Sequence, residues 1–233
     1  HGLLRTEPFL HFHRRLERHF LGLPAANDDE ADPELRVWWD TFRRHAPPLP
    51  EGRRFVEAGL TAPIGNHFLT GRFDLLIVGD GADGQPAAHL FDWKTGDPRP
   101  LDRLRAAWQT RVYLAVLAEA GAALLPEASA AFAPDRLRLT YWYVADPTQP
   151  RVIAYDAAAH RRNWAELASI VAAIDSLLPA GAADAWPLTD DLSECRRCAY
   201  QALTGRQAAG EASPEAADED EPPPDDWLEP QWG

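Results

Sequence analysis

The sequence predicts an α/β fold in which a small central mixed β-sheet is flanked by helices. Strand-like segments at 53–63, 68–79 and 87–94 carry short apolar runs separated by turn residues. A helical apolar period follows at 101–120, and a strand-like alternation follows it at 137–145. Three successive strands, a helix and a further strand are the order expected when a helix crosses over a mixed sheet.

Further helices and one more strand are expected around this core. Residues 3–22 repeat apolar side chains at helical spacing, and residues 33–45 start with a proline and stop before two others. Residues 64–67 give a hairpin signal between the first two strands. A short strand at 151–155 and a helix at 157–178 complete the pattern.

Charge is distributed unevenly along the chain of 233 residues. Residues 207–233 hold nine acidic residues and no Lys or Arg, and removing those nine charges from the total of −13 leaves −4 for residues 1–206. Acidic sequence rich in Pro and Ala does not build a core. We therefore predict one domain at 1–206, followed by an acidic disordered tail at 207–233.

Composition also bears on the cellular compartment. No apolar run reaches the ~18 residues needed to span a bilayer, and no secretory signal is present. The expected location is therefore the cytoplasm. The sequence contains no methionine, even at position 1. Either the sequence begins inside a longer translated product or its start has been removed, and in both cases we expect it to lack the extreme N-terminus of the domain.

Two carboxylates and a lysine fall near the ends of neighbouring predicted strands. Asp92 and Lys94 are two residues apart, so on a strand their side chains point to the same face. Asp74 precedes Asp92 by 18 residues, which suits two adjacent strands and their turn. A D-x-K spacing is common by chance, but Lys94 is the only lysine in the chain. Carboxylates that hold a divalent cation beside an ammonium group predict metal-assisted phosphodiester hydrolysis.

Four further polar residues accompany this set in sequence order. His13 lies within a helical pattern, and Glu57 lies within a strand-like alternation. Gln109 and Tyr113 are four apart in a helical segment, so they share one face of that helix.

In this order the residues resemble the RecB-like branch of the PD-(D/E)XK nuclease superfamily, in a stand-alone bacterial form. The resemblance is carried by His13, Glu57, Gly71-x-x-Asp74, Asp92-Trp93-Lys94-Thr95-Gly96 and Gln109-x-x-x-Tyr113. It implies a restriction-endonuclease-like core and a metal-dependent DNA nuclease, of exonuclease type, acting in repair or recombination. The departures are a glycine missing before His13 and an incomplete set of cysteines.

The resemblance also implies a set of metal ligands. His13, Asp74, Asp92 and the carbonyl of Trp93 would hold Mg²⁺ or Mn²⁺, and Mn²⁺ tolerates a nitrogen ligand better. Glu57 would be either a ligand through water or a structural strand residue.

The same resemblance implies that three residues act beside the metal, and one basic residue is added to them because of its charge. Lys94 would position the attacking water or help to deprotonate it. Gln109 would orient Lys94 or that water. Tyr113 would pack beneath the site or contact the phosphate backbone, and Arg111 is a further candidate for substrate binding.

The cysteines Cys195 and Cys198 form a C-x-x-C half-site for zinc or an iron–sulfur cluster. Relatives that hold a cluster use one cysteine before the nuclease motifs and three after them. Because a third cysteine is absent after Cys198, we expect a degenerate cysteine site without an iron–sulfur cluster, although a working metal site is the alternative.

Two other functions remain open at this stage. The chain could be a catalytically silent nuclease-fold protein that binds DNA or a helicase, or an interaction module. Trp227, Leu228 and Trp232 of the acidic tail could dock to a helicase or repair protein, or fold back on the DNA groove. The residues do not distinguish DNA from RNA, cleavage polarity, end from internal cutting, or oligomeric state.

Overall fold

A computed structural model describes residues 6–24 and 32–177 of this chain, with side chains from residue 8. The helices are α1 (Thr6–Phe20), α2 (Pro33–His45), α3 (Leu101–Ala106), α4 (Trp108–Ala120) and α5 (Ala157–Leu177). The strands are β1 (Arg53–Ile64), β2 (His67–Asp80), β3 (Pro86–Lys94), β4 (Leu137–Tyr143) and β5 (Arg151–Ala154). Short 3₁₀ segments lie between α4 and β4, at Gly121–Ala123, Pro126–Phe132 and Pro134–Arg136.

The strands form one mixed sheet in the order β1-β2-β3-β4-β5. Neighbouring strands are antiparallel except β3 and β4, which are parallel. Parallel strands cannot be joined by a tight hairpin, and here α3 and α4 make the connection. The predicted α/β class, with a small mixed sheet and flanking helices, is confirmed.

The continuous helix predicted at 101–120 is wrong, because the chain breaks at Ala107 into α3 and α4. Ala107 is extended, with ψ 138°. The carbonyl of Leu104 accepts hydrogen bonds from the N–H of Ala107 at 3.2 Å and from the hydroxyl of Thr110 at 2.5 Å. These bonds satisfy the end of α3. Neither Gly nor Pro marks the break, so the sequence did not reveal it.

The sheet is covered on both faces, and each face has its own apolar core. The core on the α4 side includes Leu60, Phe73, Leu90, Leu114, Val116, Leu139 and Tyr141. The core on the α1–α2 side includes Phe12, Leu16, Phe42, Leu75, Phe91, Trp93 and Trp142. The two cores hold opposite faces of β3, so its side chains alternate between them.

The chain divides into two compact units, His1–Ala172 and Ala173–Gly233. The sheet and all residues of the site described below lie in the first unit. Of the second unit the structure describes residues 173–177, which are the last residues of α5. The predicted boundary between residues 206 and 207 lies outside the described residues and stays a prediction. Within the described ranges, the helices are too short or too polar to cross a membrane.

Candidate active site

The alternation of side chains between the two sheet faces changes at Glu57 and Asp74. The β1–β2 ladder pairs Val56 with Leu75 and Ala58 with Phe73, and it records no pair between them. Phe73 packs in the α4-side core, whereas Leu75, two residues later, packs in the α1–α2-side core. Glu57 has a φ of 49°, in the left-handed region, and such strain in a residue with a Cβ often marks a functional position.

This break brings one side chain from α1 to two carboxylates. His13, Glu57 and Asp74 each offer a ligand atom, and these atoms all lie within 4.8 Å of one another. His13 Nδ1 is 3.6 Å from Asp74 Oδ1, and the ring of Phe9 lies 4.3 Å from the imidazole, one turn earlier in α1. The Glu57 carboxylate also accepts a hydrogen bond of 2.8 Å from the guanidinium of Arg72.

Asp74 also holds the end of β3. The last pair between β2 and β3 is Leu75 with Phe91. Beyond this pair, the backbone groups of β3 that point toward β2 have no partner in that strand. Asp74 Oδ2 accepts the N–H of Trp93 at 2.9 Å. Because N–H and C=O of a strand residue point to the same side, the Trp93 carbonyl also points toward the gap beside Asp74.

Gln109 connects the D-x-K residues of β3 to α4. Lys94 Nζ donates to Gln109 Oε1 at 3.1 Å and lies 3.1 Å from Asp92 Oδ2. Gln109 Nε2 lies 3.3 Å from both Asp92 Oδ1 and the hydroxyl of Tyr113, and donates to these oxygens. The amide of one residue therefore fixes the carboxylate, the ammonium and the tyrosine together.

A second hydrogen-bonded chain lies beneath Lys94. Lys94 Nζ is 5.7 Å from the centre of the Tyr141 ring. The Tyr141 hydroxyl is 2.8 Å from the hydroxyl of Thr110, which donates to the carbonyl of Leu104. Since that carbonyl can only accept, Tyr141 is the donor to Thr110. The break between α3 and α4 thus orients the aromatic ring under the lysine.

His13 and Asp74 stabilise each other's charged forms. Burial acts to lower the pKa of His13, but the carboxylates of Asp74, Asp92 and Glu57 outweigh it, so the pKa of His13 is raised. Burial acts to raise the pKa of Asp74, but His13 and the N–H of Trp93 outweigh it, so the pKa of Asp74 is lowered. The pair resembles a half-buried ion pair in its electrostatics.

Glu57 and Asp92 bind protons more readily than ordinary carboxylates. Burial, with the charge of Asp74, raises the pKa of Glu57 to about 7 against the opposing effect of Arg72. Burial also raises the pKa of Asp92 to about 6, although Lys94 acts to lower it. Burial therefore disfavours the charged forms of these two carboxylates, and a bound cation would stabilise them in those forms.

The donor set fits a divalent cation. Buried side-chain atoms without a hydrogen-bond partner among the described residues include His13 Nε2 and Asp92 Oδ2, although Asp92 Oδ2 has Lys94 at ion-pair distance. Buried polar atoms are rarely left in this way unless a metal or water completes them. Carboxylate oxygens with one imidazole nitrogen suit Mg²⁺ or Mn²⁺.

Most of the residues predicted from sequence come together here. His13, Glu57 and Asp74 form one group, and Asp92, Lys94, Gln109 and Tyr113 form a connected group whose charges act on the first. Trp93 contributes its backbone, while its side chain is buried in the α1–α2-side core. The Tyr113 hydroxyl is bonded to Gln109, and its ring packs edge-on against Phe73, 5.1 Å away.

Arg111 is not brought into this group. Its guanidinium pairs with Glu166, hydrogen-bonds to Asn163 of α5, and lies 4.4 Å from the Trp108 ring centre. These contacts give it a role in joining α4 to α5. Cys195, Cys198 and the tail tryptophans lie outside the described residues.

Three residues of the site were not predicted from the sequence. Arg72 could have been found, because it stands diagonally across from Glu57 on the neighbouring strand. Thr110 and Tyr141 looked like ordinary core positions, since they are buried polar groups within apolar segments. Their connection depends on the break at Ala107, which the sequence does not mark.

The sequence profile of the PD-(D/E)XK nuclease superfamily matches residues 6–203. This is most of the chain, and it covers every element that builds the site. The chain therefore belongs to the PD-(D/E)XK nuclease superfamily, whose members typically use divalent metals. A comparison with curated proteins gives no match.

Proposed function

We propose that this protein is a metal-dependent nuclease that hydrolyses phosphodiester bonds of DNA. The observation that carries the proposal is the contact of Lys94 with both Asp92 and Gln109, beside the group of His13, Glu57 and Asp74. A lysine used only as a surface charge has no need of burial, whereas Lys94 is 8% exposed. A buried ammonium next to a cation site can act on the same phosphate.

The metal would be held by His13, Asp74, Asp92 and the carbonyl of Trp93. Glu57 would join this set, directly or through water, because its ligand atom lies within 4.8 Å of those of His13 and Asp74. A Mg²⁺ or Mn²⁺ ion held by these residues would polarise a phosphate oxygen and would make a water molecule more acidic.

Lys94 would act on the charge that develops at the phosphate. Its Nζ, held between Asp92 and Gln109, is placed by bonds that exist before substrate binds, and such preorganised charge stabilises a transition state strongly. Gln109 would be a positioning residue, since it orients Lys94 and Asp92 together. Tyr113 and Tyr141 would support this arrangement from below.

The finer assignments are also proposals. The order of the motifs from His13 to Tyr113 supports the RecB-like branch and, with it, an exonuclease-type activity in DNA repair or recombination. A helicase or repair protein would be the partner of the acidic tail. The cytoplasm is the proposed compartment.

The experiment compares Lys94→Ala and Asp92→Asn with the wild-type protein on labelled single- and double-stranded DNA in Mn²⁺. Loss of one such group typically costs ~10²–10⁴ in rate, so both variants should lose at least about a hundredfold. Calorimetry should show weak Mn²⁺ binding by Asp92→Asn and near-normal binding by Lys94→Ala. Asp102→Asn, at an exposed carboxylate of α3, is the matched control.

Several results would reject the proposal. If Lys94→Ala cleaves DNA at the wild-type rate, Lys94 has no role in the mechanism. Mn²⁺ binding without any hydrolysis of DNA or RNA by the wild-type protein would instead favour a silent nuclease fold. Thermal unfolding of each variant shows whether a loss of activity follows from a loss of folded protein.

A further inference from the structure

A cleft of about 250 Å³ lies between α1 and α2, and none of the proposed catalytic groups lines it. It is lined by Arg15 of α1 and by Arg36, Trp39, Asp40 and Arg43 of α2. The Arg15 guanidinium carbon lies 4.5 Å from the centre of the Trp39 ring, so the aromatic ring holds this arginine at the cleft wall. Arg36 and Arg43 are exposed and lie about two turns apart on one face of α2.

The lining is suited to a compact anion. Three guanidinium groups face one carboxylate, Asp40, which makes the cleft positive in a chain whose net charge is −13. Its volume is below the ~300–1,000 Å³ of most small-molecule sites, and such sites are mostly apolar. Guanidinium groups bind phosphate oxygens through paired hydrogen bonds, which a lysine cannot make.

The cleft lies close to the candidate active site along α1. Arg15 follows His13 by two residues, so their side chains project about 200° apart around the helix. His13 faces Asp74 of the sheet, whereas Arg15 faces α2. The two sites are therefore about one helix diameter apart, ~10–12 Å, and a strand that passes around the helix between them covers roughly 16–19 Å. This path corresponds to about five nucleotides at ~3.4 Å each.

We propose that the α1–α2 cleft binds a backbone phosphate of the same nucleic-acid strand that is cut at the active site. This inference rests on the proposed function, which it deepens by adding a second contact a few nucleotides from the cleaved bond. A phosphate contact of this kind sets the position of the strand without reading its bases. The strand then passes over α1 from His13 to Arg15.

The test removes two cleft charges with Arg36→Gln and Arg43→Gln in one protein. The matched control combines Arg14→Gln with Arg44→Gln, which removes two exposed charges of the same helices that do not line the cleft. Binding of a fluorescein-labelled single-stranded DNA is measured by anisotropy in EDTA over a series of salt concentrations. Loss of one phosphate contact should lower the slope of log K against log salt by about 0.7 and weaken binding about fivefold near 0.1 M.

The control protein should keep the wild-type slope. Equal weakening by both pairs of substitutions would assign the effect to general surface charge and overturn the proposal. If inorganic phosphate stabilises the wild-type protein against heat, but the cleft substitutions leave DNA binding unchanged, the cleft holds a free anion and the proposal fails. Because binding is measured in EDTA, the result stands apart from cleavage. A wild-type protein that does not cut DNA in Mn²⁺ would count against the proposed function alone.

Discussion

The two faces of β3 carry opposite kinds of side chain over the same four residues. Asp92 and Lys94 face α4, where they bond to Gln109 and to each other. Phe91 and Trp93 face α1 and α2, where their rings stack 5.9 Å apart and Trp93 also stacks on Phe20 at 5.7 Å. One strand therefore supplies charge to one face and rigid packing to the other.

This difference shows how the fold retains a buried ion pair whose burial costs free energy. Burying a carboxylate and an ammonium together costs much of the energy that their attraction returns. The aromatic face restores stability through packing, because Trp93 and Trp142 are 1% and 0% exposed. Asp74 lies where the faces meet, since it contacts His13 of α1 and the backbone of Trp93.

The largest expected effect is a loss of stability when an aromatic side chain on the α1–α2 face of β3 is replaced. Trp93→Leu should lower the free energy of unfolding by about 3 kcal/mol, because it leaves a cavity in the aromatic core. The backbone N–H that Asp74 accepts remains, so turnover per folded molecule should stay within about twofold of wild type. Denaturant titration and kcat in Mn²⁺ give the two numbers. A hundredfold loss of kcat in protein that is still folded would show that packing on the aromatic face of β3 also controls catalysis on its polar face.

A smaller effect is expected from the polar face. Gln109→Leu removes the hydrogen bonds to Lys94, Asp92 and Tyr113 while it keeps a similar volume. We expect kcat to fall about tenfold to a hundredfold through lost positioning, with little change in the affinity for Mn²⁺. Leu114→Val, on the same helix but in the apolar core, controls for packing. A kcat that is insensitive to Gln109→Leu would exclude a positioning role.

The pH dependence of the stability of the metal-free protein gives a further test of the polar face of β3. The raised pKa values of Glu57, about 7, and Asp92, about 6, mean that the metal-free folded protein holds more protons than the unfolded chain between about pH 4.5 and 7. Stability without metal should therefore fall as pH rises from 5 to 8. The raised pKa of His13 acts in the same direction, because its contribution is lost as pH rises through the folded-state pKa.

Metal binding should show the opposite trend. Because the ligands must lose protons, the apparent affinity for Mn²⁺ should rise about tenfold between pH 6 and pH 8. Calorimetry in buffers of different ionisation enthalpy counts the protons released, and thermal unfolding follows stability. Glu57→Gln should remove the part of the proton release that comes from this carboxylate, while His13 and Asp92 still release protons. Metal affinity that does not change with pH would place the cation away from Glu57 and Asp92.

Much of this arrangement could be predicted from the residues. The strands and the turns between them depend on local patterns, and the bounds of β1, β2 and β3 lie close to the predicted ones. The spacing of Asp74, Asp92 and Lys94 is likewise a local feature of the sequence. The positions of α1 and of Arg111 were not predictable in the same way. His13 reaches Asp74, and Arg111 reaches Glu166, across 61 and 55 residues of sequence, so each contact depends on how distant elements pack.

The order of the elements, and which residues could share a face, follow from local sequence patterns, because strand and helix periods are local properties of the backbone. Three further features arise only from tertiary packing. It changed the facing of side chains at Glu57 and Asp74, it broke the long helix at Ala107, and it set the raised pKa values of Glu57 and Asp92. The first two depend on strand pairing and on hydrogen bonds between elements, and the third depends on burial and on charges from other elements. All of these exist only after the sheet and its helices have come together.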